Sequence, residues 1–220
     1  MKKIIILFLL ITSCAAPSLD KRIDYINELN NNKFTEFVYQ DSFAIYSLQK
    51  INNNEEVVVY IEGDGLSWID RFTPSSDPTP KNPLAFKLAK LDPHQNIIYL
   101  ARPCQYVQKN RCQKEVWTKF QYSNEIMDNY LNILKELQNN HSNVHLVGYS
   151  GGSVIAMYLA SIEELNIKSV RTVAGNIKPD EFTQLLNISP YRSSLNLNAI
   201  ENNIRSVSQS HFYGVKDKVI

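Results

Sequence analysis

The chain has 220 residues, with 23 basic and 22 acidic side chains and a formal charge of +1. That balance gives neither a basic field for nucleic acid nor an acidic one for cations, so no nucleic-acid partner is expected. An apolar share of 44% and an aromatic share of 10% exclude low-complexity disorder and suit one large domain.

Lys2 and Lys3 are followed by an unbroken apolar run over residues 4–11. The run is too short to span a bilayer, which takes about 20 helical residues, and it reads as a secretory signal. Its end, Ile11-Thr12-Ser13-Cys14, resembles the lipobox of bacterial lipoproteins. The resemblance implies cleavage before Cys14 and acylation of that residue by chains of the palmitate kind. An ordinary signal peptide with an unrelated cysteine is the alternative. Residues 1–13 are then a leader, and residues 14–220 a peripheral protein lipid-anchored to a bacterial membrane in the cell envelope. No later apolar run is long enough to cross a membrane. Disulfides persist in exported chains, and Cys104 and Cys112 lie eight positions apart. No His or Cys cluster supplies further metal ligands, so a local disulfide is expected and no metal.

Beyond a tether at residues 15–18, Leu19, Ile23, Ile26 and Leu29 recur at helical spacing, and Asn30-Asn31-Asn32 ends that helix. Residues 34–40 and 43–49 read as paired strands about the turn Asp41-Ser42. Residues 57–61 form a continuous β-rich run, as expected of a strand buried on both faces. A proline-rich loop at 74–83 leads to a helix at 84–91 and a strand at 96–100. A helix from Ser123 is expected to bury Ile126, Tyr130, Ile133, Leu134 and Leu137. Strands at 144–147, 168–174 and 206–213 follow, with a helix at 153–165 after the first of them.

Such alternation argues for an α/β protein with a mainly parallel sheet and helices on both faces. These sheets carry their sites at the carboxyl ends of the strands. All seven glycines fall just past an expected strand and none inside an expected helix. The sharpest motif, Gly148-Tyr149-Ser150-Gly151-Gly152, matches G-x-S-x-G between a strand and a helix. The serine there takes a strained backbone at a sharp turn, side chains two residues either way would collide, and the helix N-terminus supplies amide donors.

With that elbow in place, the chain resembles the α/β-hydrolase fold family, and more closely a group of bacterial α/β-hydrolase lipoproteins. Besides the elbow, the residues that carry the resemblance are Tyr60-Ile61-Glu62-Gly63-Asp64-Gly65, Asp77-Pro78-Thr79-Pro80, Ala101-Arg102-Pro103-Cys104-Gln105 and Trp117-Thr118. It continues through Ala174-Gly175-Asn176 and His211-Phe212-Tyr213-Gly214-Val215-Lys216-Asp217. The resemblance implies a serine esterase or lipase without cofactor. Ser150 would be the nucleophile, and the amides of Gly151 and Asp64 the oxyanion hole. Asp217 would be the acid partner of a histidine. The alternative for Asp217 is a solvated turn carboxylate beside Lys216 and Lys218, and for Asp64 a turn residue capping a neighbouring amide.

The family's order is serine, acid, histidine, yet this sequence stops three residues past Asp217, at Ile220. His94 and His141 precede strands, and His145 lies about 16 Å from Ser150 along its strand, so all three belong at the opposite edge. His211 falls within the strand leading to Asp217. No histidine is expected to serve as base, and the fold is expected to lack its last strand and helix. The expectation is a hydrolase-like lipoprotein that is inactive or nearly so as given. The alternatives are a non-catalytic pseudoenzyme binding a small acyl or ester ligand and the remnant of a split hydrolase gene. Trp68, Phe72 and Trp117 are placed either near the pocket or in loop packing.

Overall fold

A computed structural model describes residues 16–109, 111–185, 187–192, 195 and 197–215, so Cys14 and Asp217 lie outside the described residues. Seven strands form one sheet: β1 (Thr35–Gln40), β2 (Ala44–Lys50), β3 (Val57–Ile61), β4 (Ile97–Leu100), β5 (Val144–Tyr149), β6 (Ile167–Val173) and β7 (Ser208–Phe212). Their spatial order is β1-β2-β4-β3-β5-β6-β7. β1 and β2 form an antiparallel hairpin, β2 joins β4 antiparallel, and every pairing from β4 to β7 is parallel. The expected α/β architecture is therefore present, with a mainly parallel sheet.

The strand period of two divides the core. Val57, Val59 and Ile61 face a cluster with Leu146, Ile126, Tyr130 and Leu159. Val58 and Tyr60 face the opposite cluster, with Ile26, Phe86 and Tyr99. The helices supplying the first cluster are α3 (Asn124–Gln138) and α4 (Gly152–Ala160), and those supplying the second are α1 (Leu19–Asn30) and α2 (Leu84–Leu91). Both faces of β3 are thus sealed, which is why its sequence does not alternate. All five residues of β7 are exposed.

Three details depart from the sequence reading. α1 buries Arg22, Ile26 and Asn30 rather than a purely apolar stripe. Arg22 is drawn inward by the carbonyls of Asp77 and Thr79 and the carboxylate of Asp77, while the Asn30 amide brackets Phe34 through its backbone N–H and carbonyl. α4 stops at Ala160, five residues short of the expected end, because the bonds from Ser161 N to Tyr158 O and from Ile162 N to Leu159 O tighten its last turn. Two short helices, α5 (Pro179–Leu185) and α6 (Leu197–Asn203), occupy a stretch where none was expected. The glycine placement also needs correcting: Gly148 lies within β5, and Gly152 is the first residue of α4. Cys104 and Cys112 form the expected disulfide, with Cα atoms 5.6 Å apart. Among the described residues no helix is long and apolar enough to cross a membrane, and no cluster of His, Cys, Asp and Glu could hold a metal ion.

Candidate active site

The turn between β5 and α4 carries Ser150 at φ 48°, a conformation that non-glycine residues hold only when their surroundings impose it. Here Ser150 N–H donates to Val173 O at 2.9 Å, and Ser150 O accepts from Ser153 N at 3.0 Å. The flanking glycines make the turn possible. A Cβ on Gly148 would stand 2.5 Å from Ser153 Cα, and one on Gly152 would stand 2.4 Å from Ile61 O. The helix start is thus pressed directly against the end of β3, and the collision expected from the motif is a backbone collision.

The loop after β3 completes the constellation. A Cβ on Gly63 would come within 3.2 Å of Ser150 Cβ, and one on Gly151 within 1.8 Å of Asp64 Oδ1. Ser150, Gly151 and Asp64 are therefore brought together. Among the described residues the backbone N–H groups of Gly151 and Asp64 have no intramolecular acceptor. Two such donors beside a serine hydroxyl are the arrangement that stabilises an oxyanion. The carboxylate of Asp64 would oppose a negative charge there, but it accepts from Arg102 Nη1 at 3.0 Å and from Gln121 Nε2 at 3.3 Å. Arg102 is buried, lies over the Tyr122 ring and also donates to Gln121 O at 2.9 Å. Its charge offsets that of Asp64 inside the wall of the site.

Glu62 was not singled out in the sequence reading, although it stands in the motif between Ile61 and Gly63. Its carboxylate is fully buried and accepts from Gly63 N at 3.0 Å, Tyr99 Oη at 3.2 Å and Ala85 N at 3.4 Å. Burial pushes its pKa from 4.5 up to about 7, although the donated hydrogen bonds pull against that shift. A charged residue at the end of an otherwise apolar strand was the available signal. Glu62, Asp64, Leu66, Lys81, Tyr149 and Ser150 line a cleft of about 260 Å³.

None of the four histidines lines that cleft. His141 Nδ1 lies 3.0 Å from Glu55 O, and His145 Nε2 lies 3.6 Å from Glu56, with His94 beside it, all at the opposite edge. Burial holds the His145 pKa below the usual histidine range. His211 is exposed, its Nδ1 lies 2.8 Å from Thr172 Oγ1, and it lines a separate cavity with Val154 and Met157. Trp68 and Phe72 border a cavity of about 420 Å³ near the site, whereas Trp117 is buried packing.

No protein-family model matches the chain, and no curated protein matches its sequence. Solved structures do match. One is a membrane phospholipase A described as a bacterial virulence factor, with TM-score 0.53 and 14% identity over 92% of this chain and 77% of that one. Another is Est1E from Butyrivibrio proteoclasticus, with TM-score 0.51 and 11% identity over 86% of this chain and 80% of that one. At such identities the likeness speaks for the fold. The chain has the α/β-hydrolase fold.

Proposed function

We propose that this chain carries a serine-nucleophile site of the carboxyl-ester hydrolase type, on a protein lipid-anchored through Cys14 to a bacterial membrane. The observation that carries the reading is Ser150 at φ 48° in a G-x-S-x-G turn, beside two backbone N–H groups without acceptors among the described residues. Ser150 Oγ attacks the carbonyl carbon of an ester, and the charge that develops on the carbonyl oxygen is held by the amides of Gly151 and Asp64. The name of one structural relative, a membrane phospholipase A, agrees with a lipid ester as substrate class. Asp217 is the proposed acid partner.

The weak point of the chemistry is the proton on Ser150. No histidine of this sequence lines the cleft to take it. We therefore propose that the chain as given is inactive or nearly so, with a residue of roughly 10³–10⁴-fold over water from the oxyanion hole and binding. The same observation favours a second reading, a non-catalytic site that binds a small acyl or ester ligand.

A fluorophosphonate probe and a chromogenic short-chain ester, applied to the chain and to its Ser150→Ala variant, test both parts. The expected result is slow labelling that depends on Ser150, with ester turnover near background. Labelling that survives Ser150→Ala removes the nucleophile assignment, and rapid turnover refutes the inactivity.

A further inference from the structure

Residues 67–75 form a small hairpin beside the cleft, closed by a bridge between Trp68 and Pro74 and by the bond from Ile69 N to Thr73 O at 2.8 Å. The Asp70 carboxylate accepts from the amides of Phe72 and Thr73 at 2.8 and 2.9 Å, so the only acid in the turn is taken up in holding it rigid. Its tip nevertheless points large apolar groups outward: Trp68 is 40% exposed, Ile69 65% and Phe72 82%. Folding leaves such a cluster in water only against the hydrophobic effect.

The surroundings are basic. Arg71 stands over the Phe72 ring, and Lys119 borders the same cavity as Trp68 and Phe72. Arg192 is joined to Lys119 through its backbone N–H and stacks over the half-exposed Phe120 ring. Neither Lys119 nor Arg192 makes an ion pair among the described residues. Aromatic and branched side chains ringed by cations match the boundary of an anionic bilayer, where rings sit at headgroup depth and cations meet phosphate.

The hairpin is also tied to the start of the fold. Leu66 N donates to Pro78 O, Ser75 Oγ donates to Asp77 O, and Arg22 in the first turns of α1 donates to the carbonyls of Asp77 and Thr79. Four residue steps separate Cys14 from Ser18, the N-cap of α1, a reach of at most about 14 Å. An anchor at Cys14 would hold the membrane on the side of the molecule that bears this hairpin.

We propose that the Trp68–Phe72 hairpin, with Arg71, Lys119 and Arg192, docks onto an anionic lipid surface. The docking turns the mouth of the Ser150 cleft toward the bilayer, since Leu66 lines that cleft and Tyr191, at the hairpin cavity, packs on Tyr122 below Gly151. It does not depend on Ser150 being a nucleophile, so the hydrolase reading can fail without it.

The test uses the chain from residue 14 onward, without the leader and carrying Cys14→Ser, which cannot be acylated at that position. Of the two tryptophans, Trp117 is buried, so the response of the emission to lipid reports on Trp68. Vesicles containing phosphatidylglycerol should shift that emission to the blue, and brominated lipid should quench it. Trp68→Phe should remove the response, and Ile69→Ser with Phe72→Ser should weaken vesicle affinity at least tenfold while leaving the circular dichroism unchanged. The affinity should also fall near 1 M salt, where the screening length is about 3 Å. Chain that sediments with the vesicles while Trp68 stays unshifted and unquenched overturns the proposal. So does an equal response on phosphatidylcholine alone that salt does not diminish.

Discussion

The carboxyl edge of the sheet holds a cleft of about 260 Å³ beside Ser150, and the amino edge a cleft of about 620 Å³ bordered by Glu55, Glu56 and His94. The larger one is chemically quiet. Its backbone carries no positive φ, and its polar groups bond each other: Asn96 Nδ2 donates to Glu56 O at 2.9 Å and Asn143 Nδ2 to Glu56 Oε1 at 3.1 Å. The smaller one concentrates a strained serine, amides without acceptors among the described residues and a fully buried carboxylate. Strain and unpaired donors persist only where the surrounding structure enforces them, so they mark a site better than volume does.

The sharpest way to break this contrast is to crowd the strained edge. Gly152→Ala would push a Cβ to 2.4 Å from Ile61 O and 2.5 Å from Glu62 O, both backbone atoms that cannot swing away. We expect a stability loss of about 3 kcal/mol in urea denaturation. A loss under about 1 kcal/mol would mean that the turn yields easily and is not held by its neighbours.

A comparable effect should follow from pH. The Glu62 carboxyl has a folded pKa of about 7 against 4.5 without the fold, so the folded chain keeps a proton that the unfolded chain releases. Its contribution is complete below pH 4.5 and declines as pH rises toward 7, by on the order of 3 kcal/mol. Glu62→Gln should flatten that part of the stability profile. An unchanged profile in the variant would show that Glu62 does not carry the proton.

The smallest effect is expected at the quiet edge. Glu56 is 48% exposed and 3.6 Å from His145, so Glu56→Gln should change the unfolding free energy by less than about 0.5 kcal/mol in urea denaturation. A shift several times larger would erase the distinction between the two edges.

Much of the strained edge was legible in the sequence, because steric rules are local. Gly148, Ser150 and Gly152 declare their turn through spacing alone, and the run Val57-Val58-Val59 declares a strand sealed on both faces. The partners of the site were not legible. Asp64 meets Arg102 across 38 positions and Gln121 across 57, and no periodicity links them. Glu62 was hidden for the same reason: its carboxylate is held by α2 and by Tyr99 of β4, both far along the chain. The presence of α5 and α6 escaped because short helices with few apolar residues leave only a weak pattern.

Alone, the sequence determined the alternation of strands and helices and the elbow at Ser150. Both follow from which side chains fit a sheet interior or a turn with no room for a Cβ. Only the tertiary structure decided the strand order, the burial of Glu62 and the neutralisation of Asp64 by Arg102, and it placed all four histidines away from the Ser150 cleft. Those outcomes depend on distances between groups far apart in the chain, and such distances exist only after the two cores have closed over the sheet.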